Sequence, residues 1–216
     1  MYFDLMKLEQ PMDMEKYSLK DLALYFEKYN GYVCEITTEK NKIKFLLDIS
    51  CFSHLIGIQH AFKGQKSKNK YAGVSGFEMI KNGEITYSDV RKAAKNSKDS
   101  TPWANIKDRI KYLPMFLNTI RKNTYIKARD DNAFCRIVHL KGDWFLYKNL
   151  YSNIYPIMSL KKIVNDRIVV ETFIVEKDLR LLGALPSEKV ISIKLISPLE
   201  NTSPITVVKD SESMPV

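Results

Sequence analysis

Little in this sequence announces a known chemistry. Its 216 residues contain no glycine-rich phosphate loop, no CxxC pair and no HExxH helix, which removes P-loop, zinc-ribbon and zincin chemistry from consideration. Cysteine is scarce, with Cys34, Cys51 and Cys135 in unpatterned positions. An odd, unpatterned set argues against a disulfide framework and for core thiols in a reducing compartment. Histidine is equally scarce. His54 and His60 lie six residues apart, about 240° round a continuous helix, so a shared metal is not expected. His139 falls in a strand-like run, more in keeping with core or surface than with a ligand. No unbroken apolar window reaches membrane-spanning length, and the opening MYFDLMKLEQ, with Asp4 and Glu9, lacks the pattern of a signal peptide. The expectation is a cytoplasmic protein without membrane association, metal or cofactor.

What is present is a foldable chain with an uneven charge. At 45% hydrophobic and 11% aromatic, the sequence can bury a sizeable core as one domain, or as a domain with a small appendage. The net charge is +9, but its distribution is the more telling quantity: residues 1–62 hold 7 basic and 9 acidic side chains, 63–129 hold 16 and 5, and 130–216 hold 11 and 11. The middle segment carries the whole excess, a localised field suited to an anionic polymer such as RNA. A lysine-rich solvated face is the plainer explanation for any single lysine.

The chain is organised around residues 44–64, KFLLDISCFSHLIGIQHAFKG. A strand-like run (Phe45, Leu46, Leu47, Ile49) leads through Ser50 or Ser53, either able to cap a helix, into apolar positions Phe52, Leu55, Ile58 and Phe62, with Gly64 as the stop. This places His54 in a first helical turn, beside unpaired N–H groups that favour an anion and disfavour a proton on the ring. Gly57, one turn on, clears space beside it. A His at a helix start is more often a surface or capping residue, so the position alone does not make a catalyst.

Elsewhere, Ser18 caps a helix over 18–30, residues 32–37 and 43–49 form a hairpin, and Thr86 and Asp89 open a short helix over 87–95. Trp103, Ile106, Ile110, Leu113, Leu117 and Ile120 mark the longest helical stripe, with Pro114 kinking it or breaking it in two. Arg109 shares a side with Ile106 and Leu113. Strands then dominate: a hairpin from 134–140 and 144–149, another from 154–164 and 168–176 around Asn165-Asp166, and a last strand at 190–197. The strand at 168–175 is apolar on both faces apart from Glu171 and Thr172, and mid-strand polar groups are either bonded structure or site residues. This is an α+β pattern: N-terminal helices with a small hairpin, then a C-terminal twisted antiparallel sheet. The expected division is an N-terminal extension over 1–42, an α+β domain over 43–200 and a polar tail over 201–216.

The combination FLLDISCFSHLIGIQHAFKG, GEITYSDVRKAA, IKDRIKYLPMFLNTI and RIVVETFIVEKD resembles the phage-associated barnase-EndoU-colicin-RelE-like nucleases, particularly their fourth group, over roughly residues 40–180. Its most specific element is His-Leu-Ile-Gly at 54–57. The resemblance implies a metal-independent ribonuclease or toxin domain of phages and mobile elements. Carried over by position, His54 would be the catalytic histidine, Arg109 the helical arginine and Glu171 or Thr172 the polar contribution of the central strand. Gly57, Lys63, Lys66, Lys127 and Arg129 would contact RNA, and a toxin of this kind would be matched by a cognate inhibitor or antitoxin. The competing reading is a non-catalytic nucleic-acid-binding or regulatory protein on a nuclease-derived fold.

Overall fold

Local chemistry sets each element before packing does. The structure, a computed structural model, describes residues 2–64, 68–97, 103–129, 141–150, 153–183 and 185–198. The expected strand at 134–140 with Cys135 and His139, the tail at 201–216 and Lys66 lie outside them. Helix α1 (Leu19–Glu27) starts at Ser18, whose hydroxyl accepts the Asp21 N–H while the Asp21 carboxylate accepts the Ser18 N–H, and it buries Leu19, Leu22 and Phe26. Strands β1 (Val33–Thr38) and β2 (Lys42–Leu46) form the expected antiparallel hairpin. Helices α2 (Ile49–Leu55), α3 (Ile58–Ala61), α4 (Gly73–Lys81), α5 (Tyr87–Lys95) and α6 (Trp103–Asn118) follow. Thr86 and Asp89 cap α5 reciprocally, as their spacing predicts. Helix α4 was not legible, because its two glycines and the preceding Ala72 provide no side-chain cap.

The strands β3 (Tyr125–Ala128), β4 (Trp144–Tyr147), β5 (Tyr155–Lys162) and β6 (Ile168–Glu176), helix α7 (Arg180–Gly183) and strands β7 (Ser187–Glu188) and β8 (Val190–Ile196) complete the chain. Asn165 and Asp166, both at positive φ, turn β5 into β6. The eight strands among the described residues form one sheet in the order β7-β3-β4-β5-β6-β2-β1-β8, antiparallel except for a single parallel pairing of Phe45 with Ile168. Its two ends are joined through the chain itself, since only Lys189 separates β7 from β8. Glu188 fastens the junction by accepting from Thr38 Oγ1 at 2.6 Å and Asn41 Nδ2 at 2.8 Å. The sheet therefore curls back on itself. This corrects the expected boundary at residue 42, which cuts through the β1–β2 hairpin: β1 pairs with β8 on its other side, so the hairpin is part of the sheet.

Helix α6 packs on one face of β5 and β6. Phe116 meets Phe173 edge to face at 5.4 Å, and Ile106, Ile110, Leu113 and Leu117 are buried with it. Pro114 does not break the helix, which runs on to Asn118. Its far end is held by side chains: Asn118 Oδ1 accepts from the Tyr25 and Tyr29 hydroxyls at 2.8 and 3.0 Å, and Asn118 Nδ2 donates to the carbonyls of Leu5 and Leu8 at 2.6 and 2.9 Å. Beyond the helix, the Lys148 ammonium, 4% exposed, donates to the Thr119 carbonyl at 2.6 Å and Thr124 Oγ1 at 2.9 Å, and also to the Lys122 carbonyl. A cation here complements the negative end of the helix dipole. A second, smaller core of Phe145, Tyr155, Ile157, Leu182 and Leu185 lies where α7 follows β6.

Candidate active site

Helix α2 begins earlier than its sequence suggests. Asp48, not Ser50 or Ser53, is the cap, with its Oδ1 accepting the Ser50 N–H at 2.7 Å. His54 consequently sits in the last turn of α2, at the negative end of the dipole and not at the anion-binding end. The first-turn argument is thereby corrected. Its ring is nevertheless pushed down to about 4, first by desolvation, then by the charges of His60 and Arg109, with a backbone hydrogen bond to Glu171 acting the other way. His54 is a neutral imidazole at physiological pH.

Three devices hold that ring. The Gln59 amide contacts its Nδ1. Gly57 ends α2 in the left-handed conformation (φ +77°) and starts α3 in a new direction, so the continuous helix expected over 52–62 is two short ones. The break brings His60 round to His54, with ring centroids 6.3 Å apart, where an unbroken helix would have pointed them apart. The third device is a bulge in β6. Ser159 pairs with Thr172 and Leu160 with Val170, leaving Glu171 opposite nothing. Val170 and Phe173, three residues apart, accordingly join one core, and the Glu171 backbone is available to His54.

Arg109 approaches from α6. It is 9% exposed, its Nη1 makes a long 3.5 Å contact with Thr172 Oγ1, and its stem fills the space left by the missing side chain of Gly57. Its charge also reaches Glu176, whose pKa is raised by burial and by Asp178 and drawn back by Arg109. The Glu171 carboxylate has a different partner, accepting from the buried Ser159 hydroxyl at 2.8 Å. Beside His54 opens a groove of about 330 Å³ lined by Leu46, Asp48, Ser50, Cys51, Arg167 and residues 168–170. Burial pushes the Cys51 thiol up to about 11, so it faces the groove protonated.

A neutral histidine, a buried arginine and a bulged polar strand thus meet beside a groove. A family model described as phage-Barnase-EndoU-ColicinE5/D-RelE like nuclease4 matches residues 18–194, a span that contains all of them. The chain belongs to that nuclease family. No curated protein and no solved structure gives a significant match.

Within the nuclease4 chain, the residues singled out from sequence separate into two groups. His54, Gly57, Arg109, Glu171 and Thr172 come together, although Gly57 makes room for Arg109 rather than for the imidazole. Lys127 does not join them. It lies on β3, three strand spacings (about 14 Å) from β6; the residue is 9% exposed and its ammonium donates to the Leu185 carbonyl at 2.8 Å. Its expected role as an RNA contact is corrected to a structural one. Arg129 lies just past the same strand, exposed, its N–H donating to the Asp143 carbonyl at 2.7 Å. Lys63 is exposed just past α3, its N–H donating to the His60 carbonyl. Three residues near the site were not read as part of it from the sequence: Gln59 and His60, the latter weighed there only as a metal partner, which reach His54 because the helix breaks, and Glu176, which shares strand parity with Thr172. The glycine at 57 was the available signal for the first two. Among the described residues no cluster of three or more His, Cys, Asp or Glu could hold a metal, and no helix is long and apolar enough to cross a membrane.

Proposed function

We propose that this nuclease-family protein is a metal-independent endoribonuclease that cleaves RNA by attack of the 2′-hydroxyl on the adjacent phosphorus. The observation that carries this is His54, kept neutral between Arg109 and the β6 bulge at the edge of a groove. A neutral imidazole can take the 2′-OH proton as the O2′–P bond forms, while the P–O5′ bond breaks and the departing oxygen takes up a proton. A phosphate bound nearby would raise the basicity of His54 from its low resting value. Arg109 supplies positive charge where the transition state accumulates negative charge, and Thr172 orients its guanidinium. The lysine-rich middle segment holds the rest of the strand through its backbone.

The test is incubation of the purified protein with RNA in excess EDTA and mapping of the new ends. A 2′,3′-cyclic phosphate with a 5′-hydroxyl is the expected pair. RNA bound but left intact, or cleavage that EDTA abolishes, would replace this reading with a binding protein or a metal-dependent nuclease.

A further inference from the structure

The groove beside His54 has a direction, and its two walls give it. Strand β2 meets β6 only where Phe45 pairs with Ile168; past that point the chain leaves the sheet and turns through Asp48 into α2. Helix α2 then runs along β6, and His54 at its far end reaches the Glu171 backbone. From Asp48 to His54 the helix wall is about 9 Å long, at about 1.5 Å per residue, and from Arg167 to Val170 the strand wall is about 10 Å, at about 3.3 Å per residue. His54 therefore stands at one end of the groove and Arg167 at the other. Between them the lining is largely apolar, with Leu46, Ile168, Val169 and Val170, and the volume of about 330 Å³ lies at the small end of ligand sites, which span about 300–1,000 Å³. That is room for one nucleoside and not for a run of them.

Arg167 is placed and left ready for an anion. It follows the positive-φ pair Asn165-Asp166 and is already extended (φ −68°, ψ 132°), so it continues the line of β6 with its side chain on the face of Val169. It is exposed, and its acidic neighbours are engaged elsewhere. Asp166 pairs with Lys162 at 2.8 Å, and Asp48 on the opposite wall has its Oδ1 on the Ser50 N–H. Among the described residues no carboxylate or carbonyl holds the Arg167 guanidinium. Lys161, the cross-strand partner of Val169, puts a second cation on the same face. Arg109 is the contrast, buried against Gly57 and Thr172 at the His54 end.

We infer that the groove is a subsite for one nucleoside of the RNA beside the scissile bond, and that Arg167 binds the phosphate on the far side of that nucleoside. The position of the scissile bond rests on the ribonuclease reading, whereas the subsite is open to a test that needs no cleavage. The apolar walls take the base and ribose, and the planar guanidinium takes two phosphate oxygens. This contact lies outside the basic middle segment and is made at the site itself.

The experiment measures binding of uncleavable 2′-deoxy dinucleotides by calorimetry in about 0.15 M salt, where the Debye length is about 8 Å and the general field of the protein is damped. The probes are d(ApA), d(pApA) and d(ApAp), with the thymine series in parallel. Because Arg167 lies at one end of the groove, a terminal phosphate on one end should tighten binding by about 5-fold to 20-fold, and on the other end by much less. R167Q should remove that difference and R167K should keep part of it. Each variant is read as a ratio among its own ligands, so a loss of folded protein leaves the result unchanged. Equal gains at both ends, a gain that survives R167Q, or no binding of any probe at millimolar concentration would overturn the subsite. Cleavage of the matching ribonucleotides is followed separately: an Arg167-dependent gain in a protein that leaves RNA intact would overturn the ribonuclease reading alone and leave Arg167 in a nucleic-acid-binding groove.

Discussion

A β-carbon placed on Gly57 would stand 3.2 Å from Cδ of Arg109 and 3.3 Å from its Nη1. The glycine is needed twice over, for its left-handed backbone and for the arginine lying against it. Gly57→Ala should therefore destabilise the fold by about 1–3 kcal/mol and reduce cleavage together. The steric part can be isolated. In an Arg109→Ala background the added methyl meets no guanidinium, so chemical denaturation should give a smaller penalty, and additive penalties would show that the contact is unimportant.

His54→Ala should lower RNA cleavage by about 100-fold to 10,000-fold while leaving RNA affinity nearly unchanged. Arg109→Lys keeps the charge but loses the planar fork, and should fall between the native protein and Arg109→Ala. Cleavage rates with binding isotherms check both, with circular dichroism confirming the fold.

The ring of His54 titrates near 4 in the folded protein, against about 6.5 in an unfolded chain. Between those values the unfolded state binds more protons, so stability falls as pH drops from about 6.5 toward 4 and this contribution vanishes in His54→Gln. Removing a repelling charge moves the ring the other way. Arg109→Gln should raise the His54 pKa, a shift measurable by NMR titration of the imidazole; an unchanged titration would mean that Arg109 does not contribute to it.

Asn118 satisfies four partners at once, Tyr25 in α1, Tyr29 just beyond it, and Leu5 and Leu8 near the start of the sequence. Asn118→Ala takes this partner from the Tyr29 hydroxyl and the Leu8 carbonyl, while Tyr25 keeps the Pro114 carbonyl and the Leu5 carbonyl keeps the Leu8 N–H, and it should cost about 1–3 kcal/mol in urea unfolding. Because the network ties down α6 rather than the site itself, residual folded protein should keep its cleavage rate.

RNA affinity should decline steeply with salt, in proportion to the phosphates neutralised. Lys63→Ala should flatten that slope slightly. Lys127→Met should leave the slope unchanged and lower stability instead, since its ammonium serves the Leu185 carbonyl.

Much of this was legible from local chemistry. Ser18 with Asp21 and Thr86 with Asp89 announce their helices because each cap is satisfied within three residues. Asn165-Asp166 announces a turn because few other pairs accept positive φ. The neighbourhood of His54 and Arg109 followed from the family resemblance and from the α6 stripe. What stayed hidden depended on relationships that no short window contains. Asp48 outcompeted two serines as a cap, which moved His54 to the opposite end of its helix. The bulge at Glu171 appears only against β5, and the pairing of β1 with β8 spans almost the whole chain. Lys127 looked like any other lysine of the basic segment until β7 covered it.

The closing of the sheet by its last strand has a consequence in time. During synthesis, His54, Arg109 and β6 are all made before β8, yet β1 lacks one of its two neighbours until residues 190–196 have emerged. Pairings this distant in sequence form slowly, since the loop must close before any contact rewards it. Until then the chain carries the candidate site residues on an open sheet. Docking of β8 should therefore be a late step, and refolding should show site assembly lagging behind the early helices.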